Sequence, residues 1–262
     1  MHKEKILAVA REASLKAGSY LKKNYGDIRR HEVEFKGAIN LVTKHDRESQ
    51  QIIYQLLKEN FPHHSILSEE DLKVENEKEL LWVIDPLDGT TNYAHSLPVF
   101  SVSIAFLQEG KPQVGVVYAP LLDEMFYAVK GNGAFLNGKR IAVSKEKDLG
   151  KSMLGTGFPY DLRESSRNNI DHFSKFLLKS RAIRRMGSAA IDLAYTAAGR
   201  FDGFWELKLF PWDIAAAMLM VQEAGGKVTD FAGNPCDPFM RDIVASNSQI
   251  HEQMLQVIQK NE

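Results

Sequence analysis

Asp85 and Asp88 close an apolar run, Trp82-Val83-Ile84, and lead at once into Gly89-Thr90-Thr91-Asn92. Two carboxylates held close together raise each other's pKa unless a cation neutralises them, so the pair predicts a hard divalent cation such as Mg²⁺. Pro86 fixes its own φ and lacks an amide hydrogen, while Gly89 permits close backbone approach. The amides of Gly89, Thr90 and Thr91 can then face an anion such as phosphate. Asp, Gly, Pro and Thr are also ordinary turn residues, which leaves a plain acidic strand-to-turn junction as the competing account. Three acidic elements share one form: Glu69 follows a short strand, Asp85 and Asp88 follow another, and Asp213 opens a helix behind Pro211-Trp212. Element ends that converge make a cleft. Asp213 has an independent use, because an acid in a first turn stabilises its helix.

Those acids need a scaffold. Ile6, Val9, Ala10, Ala13, Ala17 and Leu21 recur at helical spacing with Gly26 as a stop, which predicts an amphipathic first helix. Thr43 and Asp46 have the spacing of a capping box ahead of Ile52, Ile53, Leu56 and Leu57, and Pro62 closes that second helix. A short strand at Ser65-Ile66-Leu67 precedes an acidic, lysine-mixed loop from Glu69 to Glu79. Strands are expected over Val99–Leu107, Pro112–Ala119, Glu124–Val129 and Ala134–Val143, the last folded about Asn137-Gly138, and they should form antiparallel sheet. Gly131-Asn132-Gly133 joins two strands and reads as a turn, since a phosphate loop would join strand to helix. Beyond Gly150 strands and helices alternate: strand Met153–Gly157, helix Glu164–Leu178, a strand through Arg184, helix Ser188–Ala198, strand Phe201–Glu206 and helix Asp213–Glu223. Strands Lys227–Asp230 and Ile243–Ser246 and a helix from Gln249 follow. The expectation is an α+β half over about residues 1–150 beside an α/β half over about 151–262, one catalytic unit without a flexible linker.

Composition excludes several classes. With 262 residues and 44% hydrophobic content the chain can bury a substantial core. Its formal charge of −1, with both signs intermixed, provides no basic field for direct nucleic-acid binding. Met1-His2-Lys3-Glu4-Lys5 lacks a signal-peptide apolar stretch and no run approaches the roughly 18 apolar residues of a membrane span, so the cytoplasm is the expected compartment and a membrane is not an expected partner. Cys236 is the only cysteine, which leaves no internal disulfide and no multi-cysteine zinc site, and reads as a small turn or packing residue.

Spacing bears on the reaction. In phosphatases of the haloacid dehalogenase type, one residue separates the two aspartates, so on an extended strand nucleophile and general acid share a face. Asp85 and Asp88 have two residues between them. A turn at Pro86-Leu87 must bring them to a common point, which suits metal coordination better than covalent catalysis.

Asp85-Pro86-Leu87-Asp88-Gly89-Thr90-Thr91-Asn92, with Pro211-Trp212-Asp213-Ile214-Ala215-Ala216 and then Glu223-Ala224-Gly225-Gly226, resembles the two signatures of the inositol monophosphatase family. Lys36, Leu41-Val42-Thr43 with Asp46, Ser68-Glu69-Glu70 and Arg184-Arg185-Met186-Gly187-Ser188-Ala189-Ala190 extend the resemblance over nearly the whole chain. It implies a layered αβαβα sandwich of the inositol monophosphatase and fructose-1,6-bisphosphatase type, and a homodimer inhibited by lithium. It makes Glu69, Asp85, Asp88 and Asp213 side-chain ligands of two or three Mg²⁺ ions, with the Leu87 carbonyl as a further ligand. Such a cluster clamps phosphate oxygens, neutralises transferring charge and lowers the pKa of water. Thr90 would orient that water with Asp46 as proton acceptor, and Glu69 joins them among the catalytic residues. Leu87, Asp88, Gly89 and Thr90 would seat the phosphate.

For the alcohol, the resemblance points to Gly187, Ser188, Ala189, Glu206 and Asp213. An acid at Glu206 favours a neutral polyol over a second phosphate. Arg184 matches a family arginine; strand alternation turns Arg184 and Arg185 to opposite faces, so one reaches the active site or the pair serves an interface or sheet-face ion pair. Ser68 stands where the inositol branch usually has Gly, a feature shared with the branch acting on 3′-phosphoadenosine 5′-phosphate. Thr91 and Asn92 depart from the Lys and Glu of that nucleotide branch. The implied reaction is Mg²⁺-dependent hydrolysis of a small phosphate monoester, first myo-inositol 1-phosphate. Fructose 1,6-bisphosphate, dual specificity and 3′-phosphoadenosine 5′-phosphate are alternatives, and a protein-binding regulator of transcription machinery is the non-enzymatic one.

Overall fold

The computed structural model describes residues 3–26, 34–35, 41–70, 79–235 and 237–260. Lys36, Cys236 and the acidic loop over 71–78 lie outside the described residues. In chain order the elements are α1 (Lys3–Lys23), β1 (Glu34–Phe35), β2 (Leu41–Val42), α2 (Lys44–Asn60), β3 (Ser65–Ser68), β4 (Leu80–Asp88), α3 (Thr90–Ala94), β5 (Ser101–Gln108), β6 (Lys111–Ala119), β7 (Glu124–Val129), β8 (Gly133–Leu136) and β9 (Lys139–Ile141). Then come β10 (Met153–Thr156), α4 (Ile170–Leu177), β11 (Ala182–Arg184), α5 (Ala189–Ala197), β12 (Gly203–Leu207), α6 (Pro211–Glu223), β13 (Lys227–Thr229), β14 (Asp242–Ser246) and α7 (His251–Gln259).

Strand alternation sorts the apolar residues into layers. Trp82 and Ile84 of β4 face a core with the apolar stripe of α1 and with Ile53 and Leu57 of α2. Leu81 and Val83 face the opposite way, onto α5 and α6. β3 to β9 form one seven-stranded sheet in sequential order, with β3 and β4 parallel and the rest antiparallel. The second sheet is mixed, in the order β11-β10-β12-β14-β13. Phe204, Ile243 and Ala245 of this sheet pack on α5 and α6. Trp205 and Val244 turn to the far side, against Phe176 of α4 and Met254 of α7. Three apolar clusters, the middle one lying on both sides of α5 and α6, therefore join five structural layers, the αβαβα sandwich implied by the resemblance.

The middle helix explains its own composition. Every residue of α6 from Ile214 to Val221 is buried, as a helix apolar on all sides must be when sheets cover it from both directions. Close approach to β6 requires Gly115, where an added Cβ would lie 2.4 Å from the Ala216 carbonyl oxygen. Glu223, at the end of α6, accepts the amides of Gly131 and Gly133 at 2.8 Å each. The Gly131-Asn132-Gly133 segment is thus a turn between β7 and β8 whose amides bind the chain's own carboxylate. Among the described residues, no helix is long and apolar enough to cross a membrane.

Two helices start later than periodicity suggests. α4 begins at Ile170 rather than near Glu164, because Asn169 adopts a left-handed φ of 73°. Its amide is committed elsewhere, donating to the Gly157 carbonyl at 2.6 Å and accepting from the Trp205 indole at 2.8 Å. α7 begins at His251 rather than Gln249, after Ser248 at φ 70°, with the Asn247 side chain accepting the Gln249 and Ile250 amides.

His251 is fully buried and bonds Thr229 and Ser246, each at 2.9 Å. Burial is the main cause that pushes its imidazole from 6.5 down to about 4, with Lys227 adding to the effect. The unfolded chain therefore takes up this proton first, so the stabilisation is complete above pH 6.5 and is lost as pH falls toward about 4. The melting temperature of the native chain should fall across that window by more than that of His251→Asn. Parallel melting curves for the two would remove His251 as the source.

Candidate active site

The end of β4 sets the geometry. Asp85 pairs with Ser103 of β5 and Asp88 with Ser101, so β4 advances by three residues where β5 advances by two. That extra residue is a β-bulge, and it returns Asp88 to the face occupied by Asp85; without it, residues an odd number apart would face opposite ways. The expected turn at Pro86-Leu87 is therefore a bulge within a continuous strand. Proline is tolerated there because a bulge leaves a residue out of the ladder, where its missing amide hydrogen is not needed. Ser49 of α2 donates to the Pro86 carbonyl at 2.7 Å, and the Leu87 amide donates to Asp85 Oδ1 at 3.0 Å. Gly89 follows at φ +95°, and a Cβ there would lie 3.1 Å from the Val99 oxygen and 3.2 Å from that of Gly187.

Glu69, Asp85, Asp88 and Asp213 line one cleft with Leu87, Gly89 and Thr90, enclosing about 220 Å³. Burial, and then the charges of Glu69, Asp88 and Asp213, hold the Asp85 carboxyl well above the usual carboxylate range. Burial and then Glu69 raise Asp213 likewise, although its carboxylate accepts the Phe210 amide at 2.7 Å. Asp88 is raised by burial to about 6, against the lowering effect of hydrogen bonds from Ser188, Ala190 and Ser101. Among the described residues, no three His, Cys, Asp or Glu side chains are gathered into a closed metal-ligand group. The acids stand along the cleft walls instead. Their chemistry fits a hard cation, since the donors are carboxylate oxygens whose mutual repulsion a divalent charge would remove.

Thr90 opens α3. Its hydroxyl lies 2.9 Å from Asp46 Oδ1 and 3.0 Å from the Leu87 carbonyl oxygen, and can donate to either. Asp46 also closes the capping box of α2, accepting the Thr43 amide at 2.8 Å and the Thr43 hydroxyl at 2.6 Å. Burial pushes it to about 6 despite those bonds. One carboxylate thus serves the helix cap and the Thr90 hydroxyl together.

A second compartment adjoins the first, sharing Asp88, Gly89, Thr90, Tyr160 and Asp213. Gly187, Ser188, Ala189 and Glu206 line it. Asn92 holds the Gly187 loop to α3, donating to the carbonyls of Val99 at 2.7 Å and Met186 at 2.8 Å. Gly187, at φ +83°, admits the Asn92 amide where a Cβ would be 2.9 Å from it. Burial and then Asp88 raise Glu206 to about 8, while Arg185 lowers it. Arg184 is exposed and donates to the Ile183 carbonyl at 3.0 Å; the arginine lining the compartment is Arg185.

Of the two arginines left open by strand alternation, Arg185 is the one at the cleft, and Asp192, Tyr160, Phe210 and Trp212, to which sequence reasoning gave no role, line it too. Asp192, on α5, is buried with Oδ1 unpartnered, and its carboxyl is held well above the usual range by burial and then by Glu206. A signal existed for two of these: β10 runs parallel to both β11 and β12, and Arg185 and Tyr160 lie just past the carboxyl ends of β11 and β10, where α/β sheets place ligands.

The description "Inositol monophosphatase family" belongs to the family model that matches residues 2–262. "Nus factor SuhB" of Escherichia coli (strain K12) is 42% identical over 251 residues, covering 95% of this chain and 94% of that protein. "Inositol-1-monophosphatase" of Synechocystis sp. (strain ATCC 27184 / PCC 6803 / Kazusa) is 42% identical, covering 96% and 88%. The solved inositol monophosphatase from Anabaena (Nostoc) sp. PCC 7120 superimposes with a TM-score of 0.90 at 41% identity, covering 98% of this chain and 96% of that one.

The mutual repulsion has a thermal consequence. In chelator, Asp85→Asn should melt roughly 3 °C or more above the native chain, because it removes an uncompensated buried charge. Mg²⁺ should raise the melting temperature of the native chain and leave the variant nearly unchanged. A variant less stable in chelator, or one with an equal response to Mg²⁺, contradicts the assignment.

Proposed function

The chain belongs to the inositol monophosphatase family, and from that premise we propose that it is a Mg²⁺-dependent phosphomonoesterase whose first substrate is myo-inositol 1-phosphate. The observation that carries the reading is the union of the two compartments. Four mutually repelling carboxylates border a backbone turn on one side, and a polar chamber with Glu206 opens on the other. Glu69, Asp85, Asp88, Asp213 and the Leu87 carbonyl would hold two or three Mg²⁺. Bound there, Mg²⁺ supplies neutralisation of the phosphate oxygens and a lowered pKa for water.

The chain's own groups do the positioning. Gly89 and Thr90 present amides at the start of α3 to a phosphate. The Thr90 hydroxyl orients the attacking water, and Asp46, 2.9 Å behind it, receives the proton. In the second chamber Glu206 and Asp192 outnumber Arg185, which favours ring hydroxyls over a second phosphate and ranks fructose 1,6-bisphosphate and 3′-phosphoadenosine 5′-phosphate below inositol phosphate. Homodimer formation, inhibition by lithium and a cytoplasmic place belong to the same reading. The relatives named Nus factor SuhB support a second one, a protein-binding regulator of transcription machinery that retains catalysis.

A panel of inositol 1-phosphate, fructose 1,6-bisphosphate, 3′-phosphoadenosine 5′-phosphate and histidinol phosphate tests the assignment by phosphate release with Mg²⁺, with and without lithium. The expected result is the highest kcat/KM on inositol 1-phosphate and a loss of roughly a thousandfold or more in folded Asp88→Asn. Near-normal turnover by Asp88→Asn in saturating Mg²⁺ would sink the metal-ligand role.

A further inference from the structure

Tyr160 belongs to neither half of the cleft, because it lines both. Of the residues common to the two compartments, Asp88, Gly89, Thr90 and Asp213 belong to the acid and phosphate machinery, and Tyr160 alone enters from the loop after β10. If phosphate occupies the acid side and alcohol the Glu206 side, the ester oxygen joining them lies on that shared border.

The loop is built to hold the ring there. Gly157 is fixed by the Asn169 amide at 2.6 Å, and Asn169 is itself fixed by the Trp205 indole at 2.8 Å. Just past the ring, Asp161 pairs with Lys208 at 2.5 Å. Lys208 follows the end of β12 at a left-handed φ of 63°, two residues beyond Glu206. The tyrosine is therefore pinned between two anchors, one of which is continuous with the alcohol chamber. Although 55% exposed, it borders the cleft lined by Glu69, Asp85, Asp88 and Asp213. A phenol that borders the cleft on a loop anchored at both ends is a hydrogen-bond donor already placed for the reaction.

We propose that Tyr160 donates a hydrogen bond to the ester oxygen of the substrate, stabilising the leaving alkoxide; this rests on the phosphatase reading above. The phosphorus–oxygen ester bond breaks with its electron pair on the ester oxygen. Water gives its oxygen to phosphorus and keeps one proton there as the phosphate hydroxyl; its other proton passes to Asp46, which returns it to solvent, while the departing alkoxide takes one proton from solvent and Tyr160 keeps its own throughout. Help at the leaving oxygen matters most when the leaving group is poor.

The test compares glycerol 2-phosphate, an alkyl ester, with p-nitrophenyl phosphate, whose leaving group needs little help, both with Mg²⁺. Tyr160→Phe should lose about tenfold in kcat on the alkyl ester and about twofold on the nitrophenyl ester. Lys208→Met, which frees the loop, should show the same substrate-selective pattern and add little to Tyr160→Phe in the double variant. Equal losses on the two esters, no loss on either, or full additivity would overturn the role of Tyr160. No turnover of any phosphate ester by the native chain would overturn the phosphatase reading and this proposal with it, whereas native turnover with an unselective variant removes this proposal alone.

Discussion

Repulsion among carboxylates at the end of β4 is the constraint around which the rest of the molecule is arranged. Asp85, Asp88, Asp213 and Glu69 share a cleft in which burial disfavours ionisation of the three aspartates and neighbouring charges add to this at Asp85 and Asp213. Left alone, such groups would rotate apart or become protonated. Each of the three aspartates is instead tied to backbone: Asp85 by the Leu87 amide, Asp88 by the Ala190 amide and Asp213 by the Phe210 amide. These donors cost no side-chain entropy and cannot swing away, so they hold the acids where the proposed cation would bind.

The layered architecture follows the same need. α5 and α6 form the layer between the sheets, and both begin at the cleft: Ala190 in the first turn of α5 reaches Asp88, and Asp213 lies in the first turn of α6. Helix amino ends carry partial positive charge, so this layer offsets part of the negative charge of the cleft. Its middle is also deeply buried, with Ala215, Ala216 and Ala217 at 0% exposure, which makes it a stiff mounting for groups that repel one another. The ends of β3 and β4 in the larger sheet contribute Glu69, Asp85 and Asp88, α6 contributes Asp213, the smaller sheet contributes the chamber at Glu206, and the shared helices fix the distance between them.

Much of this was legible in residue order because the signals are local. The capping box at Thr43 and Asp46, the period of α1, the hairpin at Asn137-Gly138 and the apolar run before Asp85 are each read within a few residues. The bulge was not legible: Pro86-Leu87 is compatible with a turn or a bulge, and only the pairing with Ser101 and Ser103 of β5 decides between them. The arginine assignment depended likewise on tertiary placement. Alternation separates the faces of Arg184 and Arg185 but does not say which face meets the cleft, and the structure directs Arg185 there. Tyr160 lies between the expected strand and the expected helix, in a stretch without periodic signal. Helical periodicity also carried α4 back to Glu164, and Asn169 ends that reading by taking a left-handed backbone and spending its side-chain amide on Gly157 and Trp205.

Calorimetry of Mg²⁺ binding near pH 6, repeated in buffers of different ionisation enthalpy, reads the central claim most directly. Carboxylates whose pKa values are raised by one another must release protons when a cation takes their place. The account predicts Mg²⁺ uptake with proton release near pH 6 that shrinks as pH rises. Mg²⁺ uptake without proton release, or no uptake at all, would contradict it.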